Sequence, residues 1–272
     1  MPTGNTTILA LHCSGSTGRQ WQPLQTVMGG QFNILAPDLL ESGAALRWSG
    51  DGPFRLTDEA RTIIDTIDAT DGPIHLVGHS YGGCVALRIA IERPHRVMSL
   101  SLYEPTVFHL LNAMGEDGCR VFGEIRAWGL EIGRHVMSGA YRRAAKLFYE
   151  YWNGPGSFPL AKQDVQIHLT RYMFKVCLEF CAVLGEETPL STYRGLRIPL
   201  LLICGEATSR PVASIARKLA EVMKARDFRV VSGAGHMGPI SHPEIVAKII
   251  AGHVLECDMR CGSGIGLVPS DV

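Results

Sequence analysis

The 272-residue chain carries no surplus charge of either sign: 26 Lys and Arg stand against 26 Asp and Glu. No run of basic residues interleaved with aromatics occurs, so the electrostatic footprint of a nucleic-acid binder is missing. No apolar stretch approaches the length a bilayer requires, and the opening Met1-Pro2-Thr3-Gly4-Asn5 places no basic segment before its short apolar run. These absences exclude nucleic acid and membrane as partners and point to a cytoplasmic protein acting on a small molecule.

Cysteine is present eight times, yet without a CxxC pair or histidines at metal spacing. The thiols are expected to be reduced and to serve as small hydrophobes, with Cys177/Cys181 and Cys257/Cys261 the close pairs. A glycine-rich stretch from Cys261 to Gly266 has no strand before it and no helix after it, so residues 257–272 read as a tail, not a dinucleotide loop. Neither cofactor nor metal is expected.

What is present is a chain 46% hydrophobic, long enough for one α/β domain. Six short apolar runs recur at 7–11, 32–36, 74–77, 97–102, 198–203 and 228–231, with helical patterns between most of them. Runs of this kind predict a mainly parallel sheet of about six strands flanked by helices. A helix is expected from Thr57 as cap, with Asp58 and Glu59 in its first turn, another from just past Ser80 to before Pro94, and a last from Pro243 to about Leu255. Residues 106–190 break the alternation with aromatic-rich helical segments and read as an inserted cap, leaving 1–105 and 191–256 as the core.

The sharpest feature is Gly78-His79-Ser80-Tyr81-Gly82, between the run at Ile74–Val77 and a helical pattern. A serine thrown onto a strand-to-helix turn is a nucleophile elbow, and glycines flank it because side chains there would strike the neighbouring strand and helix. The helix start aims free N–H groups at any oxyanion formed on Ser80, with the Tyr81 amide as first donor.

With Leu11-His12-Cys13-Ser14-Gly15 and Trp21, Ala36-Pro37-Asp38-Leu39, the elbow, and Gly233-Ala234-Gly235-His236-Met237 in that order, the sequence resembles the α/β-hydrolase superfamily. The resemblance implies a second oxyanion donor in the loop after the first strand, here the Ser14 N–H, with Cys13 where the family has glycine. It also implies an N-terminal antiparallel hairpin, for which too few residues precede the first run, so those strands are expected to be reduced or missing. His236, after the last strand, is the general base by motif and chain order.

The acid departs from the pattern. Gly205-Glu206-Ala207-Thr208 puts threonine where the family usually has aspartate. Glu104 and Glu206 are the remaining candidates; Glu104, at the end of the strand following the elbow, is preferred. The expected activity is hydrolysis of a carboxylic ester or related acyl substrate under the cap. Acyl transfer, thioester hydrolysis and carbon–carbon bond hydrolysis use the same constellation, and a non-catalytic ligand sensor is the reading from another class.

Overall fold

A computed structural model describes residues 6–40, 48, 50 and 52–262. The chain runs β1 (Thr7–Leu11), α1 (Gln22–Met28), β2 (Asn33–Leu35), α2 (Leu56–Asp68), β3 (Ile74–His79), α3 (Tyr81–Glu92) and β4 (Val97–Tyr103). Then come α4 (Gly115–Met137), α5 (Tyr141–Asn153), α6 (Gln163–Leu184), α7 (Leu190–Gly195), β5 (Leu200–Gly205), α8 (Arg210–Val222), β6 (Asp227–Val231), α9 (Gly238–Ser241) and α10 (Pro243–Gly262).

All six strands are parallel, in the order β2-β1-β3-β4-β5-β6. The four inner strands are buried on both faces, so β1 and β5 are almost continuously apolar, while β3 and β4 bury the polar His75, His79, Ser99 and Ser101 among their apolar residues. Successive side chains still part to opposite faces. Ile8, Ala10, Val77 and Leu201 join α1 and α10 in one core, whereas Leu9, Leu11, Leu76 and Leu202 join α2, α3 and α8 in the other. No antiparallel strand occurs among the described residues. In those residues no helix is long and apolar enough to cross a membrane.

Two helix ends differ from the sequence expectation. The first long helix starts at Leu56, so Thr57 lies inside it; the Asp58 carboxylate accepts the Arg55 amide at 2.8 Å and closes the turn instead. The last helix continues through Gly262 past Leu255, where Cys257 carries its buried stripe onward. The remainder of the expected tail, from residue 263, lies outside the described residues.

Helices α4 to α7 all fall between β4 and β5, and α5 and α6 stand over the C-terminal edge of the sheet. A buried ion pair fastens α6 down: Lys175 Nζ meets Glu59 Oε2 on α2. The Glu59 carboxylate also accepts the Leu40 amide at 2.6 Å and the Tyr81 hydroxyl at 2.9 Å. Glycine is required where α3 presses on the sheet, since a Cβ at Gly82 would sit 2.4 Å from the His12 carbonyl oxygen and 2.5 Å from that of Leu11. Gly82→Ala is therefore expected to destabilise the fold by about 1–3 kcal/mol, read as a lower urea midpoint at unchanged slope.

Candidate active site

Ladder register sets the site. His79 pairs with Tyr103, so the next residues, Ser80 and Glu104, leave adjacent strands side by side. Both carry positive φ, 55° and 43°, the only non-glycine residues besides Lys224 to do so among those described. Such backbone costs about 1–3 kcal/mol per residue and persists where the surroundings enforce it. Here the Ser80 amide donates to the Tyr103 carbonyl at 3.0 Å and the Glu104 amide to the Ile203 carbonyl at 3.1 Å.

The turn after β6 brings His236 between them. Its Nε2 lies 2.9 Å from Ser80 Oγ and its Nδ1 lies 2.7 Å from Glu104 Oε2, with all three residues buried. Beyond His236, the Glu104 carboxylate accepts two further hydrogen bonds, from the Gly205 amide and the Thr208 hydroxyl, each at 2.7 Å. Thr208 thus occupies the usual acid position as a hydroxyl that orients a carboxylate arriving from the neighbouring strand. Glu206 is not brought to the imidazole. It is exposed and accepts from Ser232 Oγ at 2.8 Å and the Gly233 amide at 2.9 Å, bonds that hold its carboxyl below the usual range.

The two amides expected to face an oxyanion are positioned from different sides. Tyr81 N–H opens α3, where no helical partner exists. The Cys13–Ser14 peptide is clamped: its carbonyl accepts from His12 Nδ1 at 2.8 Å and from the Ser16 amide at 3.1 Å. In a planar trans unit the Ser14 N–H points the opposite way. His12 plays this part as a neutral ring, because burial pulls its pKa down to about 4, and its Nε2 accepts the Leu39 amide at 3.0 Å. Cys13 meets no strain, since the positive φ of this loop falls on Gly15 instead, at 71°.

Gln20 and His79 complete a chain of hydrogen bonds that composition and motif did not reveal. The Cys13 amide donates to Gln20 Oε1 at 3.2 Å, Gln20 Nε2 donates to His79 Nδ1 at 3.1 Å, and His79 Nε2 donates to the His236 carbonyl at 2.8 Å. Burial holds the His79 pKa well below its ordinary value, consistent with the one-donor, one-acceptor ring this requires. The signal was available, since His79 fills a variable position of the elbow, but its partner could be found only in three dimensions. Trp152 of α5 was likewise missed; its ring stacks on the His236 imidazole at 3.8 Å between centroids.

Two cavities meet at Ser80. The larger, about 520 Å³, opens on the His236 side between Trp152, Tyr149, Leu169 and Ile240. The smaller, about 30 Å³, lies on the Tyr81 side under Phe108, Phe180 and Glu179.

The profile of the alpha/beta hydrolase family matches residues 8–249. Lipase LipV of Mycobacterium tuberculosis is 35% identical over 262 residues, covering 92% of this chain and 93% of that protein. A 2-hydroxymuconate semialdehyde hydrolase of Pseudomonas putida is 25% identical, over 83% of this chain and 78% of its own. Among solved structures, the enol-lactonase from Burkholderia xenovorans superposes with a TM-score of 0.69 at 15% identity, with 94% of each chain covered. The chain belongs to the alpha/beta hydrolase family and is a hydrolase of that fold.

Proposed function

We propose that the chain is a serine hydrolase that cleaves a carboxylic ester or related acyl substrate through an acyl-enzyme at Ser80. The observation that carries this reading is the continuous contact from Glu104 through His236 to Ser80, at 2.7 and 2.9 Å.

In the proposed reaction, His236 Nε2 takes the Ser80 hydroxyl proton as Oγ bonds to the substrate carbonyl carbon. The resulting oxyanion is held by the Tyr81 and Ser14 amides, and Glu104 balances the imidazolium. His236 then gives the proton to the leaving oxygen as the carbon–oxygen bond breaks, leaving the acyl group on Ser80. Water, deprotonated by His236, attacks the acyl carbon, and the carboxylic acid departs as Ser80 recovers its proton. The larger cavity, walled by Trp152, Tyr149 and Leu169, suits an apolar portion of the substrate.

A fluorophosphonate probe is expected to place one adduct per chain on Ser80 of the folded protein and none on unfolded protein, located by peptide mass spectrometry. p-Nitrophenyl esters are expected to give a burst of one nitrophenol per chain. Absence of both would leave the ligand-sensor reading in place of the enzyme.

A further inference from the structure

From the small pocket beside Ser80 we infer that Glu179 is a specificity residue that selects a short acyl group bearing an O–H or N–H donor. This deepens the proposed function and rests on Ser80 being its nucleophile.

Direction comes first. His236 must hand its proton to the leaving group, so the leaving group occupies the side on which His236 is exposed. That is the cavity of about 520 Å³, which His236 and Met237 both line. The acyl portion therefore turns the other way, toward Tyr81, Thr106 and Phe108, into the pocket of about 30 Å³ that His236 does not line. A volume of that size takes one or two atoms beyond the carbonyl carbon.

The pocket's walls are apolar, Phe148, Val176, Phe180 and Val183 among them, with Glu179 set into them. Glu179 is only 3% exposed. Its Oε1 accepts the Tyr172 hydroxyl at 2.8 Å, while Oε2 makes no well-formed hydrogen bond among the described residues, although the Ser14 hydroxyl also favours the charged form of the carboxylate. A buried acceptor left unsatisfied carries an uncompensated desolvation cost, which a donor on the bound acyl group would remove. A glycolyl group, with its hydroxyl one carbon from the carbonyl, has the required size and polarity; an acetyl group has the size alone.

Burial pushes the Glu179 carboxyl up to about 7, while Lys175 and the Ser14 and Tyr172 hydroxyls favour its charged form. No mobile cation is needed, and a donor alongside Oε2 adds to the same side of that balance. Sites built to bond a substrate hydroxyl discriminate strongly against the analogue without it, because the site's own polar group is then stranded.

The experiment compares p-nitrophenyl glycolate with p-nitrophenyl acetate on the wild type, Glu179→Leu and Glu179→Gln. The variant-to-wild-type ratio of kcat/KM is taken for each ester, so that intrinsic reactivity cancels. The glycolate ratio is expected to fall about 10- to 100-fold in Glu179→Leu, and about tenfold in Glu179→Gln. The acetate ratio is expected not to fall in either variant and to rise in Glu179→Leu, which removes the acceptor that acetate leaves stranded. Equal losses on both esters would mean that Glu179 merely supports the fold, and no loss on either would mean that the pocket does not receive the acyl group. Each result overturns the inference while leaving Ser80 in place. A Ser80→Ala enzyme that still hydrolyses the acetate would instead remove the proposed function, and the inference with it.

Discussion

Glu104→Gln is expected to lower kcat by about four orders of magnitude, whereas Glu206→Gln stays within about twofold of the wild type. The Glu104 carboxylate accepts three hydrogen bonds, from the Gly205 amide, the Thr208 hydroxyl and His236 Nδ1. Glutamine offers one oxygen and one NH₂ in place of two acceptors. With its NH₂ toward His236 it forces the proton onto Nε2, and the imidazole can no longer receive the proton of Ser80. With its NH₂ toward Gly205, two donors face each other in a buried site. Glu206, held at the surface by Ser232 and Gly233, touches neither the imidazole nor the serine. Steady-state hydrolysis of a p-nitrophenyl ester, with circular dichroism to confirm folding, decides the matter. A loss confined to Glu206→Gln would overturn the assignment.

Lys175→Met is expected to cost about 3–5 kcal/mol of stability, because it strands the Glu59 carboxylate in the core. Glu59 is fully buried and Lys175 is 2% exposed, and neither can recruit water in place of its partner. Pairing the substitution with Glu59→Gln is expected to recover much of the loss, since the amide still serves the Leu40 amide and the Tyr81 hydroxyl without an uncompensated charge. Urea titrations of the two single variants and the double variant give the coupling directly. Additive losses would mean that the charges are screened and that α6 is held by apolar packing alone. The same pair also bears on the site, because the Tyr81 whose amide is proposed to face the oxyanion gives its hydroxyl to Glu59.

The strands and the elbow were legible because their signals are local: a continuous apolar run between breakers, and glycines where backbone must approach backbone. Ser80 and His236 followed from those runs and their order. Elimination of Thr208, which cannot carry charge, left Glu104 and Glu206; the preference for Glu104 came from the resemblance, and its place beside Ser80 is fixed by the β3–β4 register that the sequence does not write. The hydrogen-bond chain through Gln20 and His79 was not legible, for each member's partner lies in a distant segment. Glu179 and Lys175 were hidden for a related reason. In a helical pattern they read as polar positions, and only the packing of α6 against α2 and α3 shows that both are buried. The apolar stripe of α10 was read too short because the glycines after Cys261 outweighed Cys257, whose burial only the packing shows.

Glu104 at the end of β4 means that β3, α3 and β4 together hold both the serine and the carboxylate, as one strand–helix–strand crossover. A unit of this kind closes a shorter loop, so bringing the two groups together costs less chain entropy than the long-range closure that delivers His236. The end of β5 and the segment after it give that carboxylate the Gly205 amide and the Thr208 hydroxyl, and the Glu206 and Ala207 amides bond the Val231 and Ala234 carbonyls, so they tie the carboxylate to the turn that carries His236.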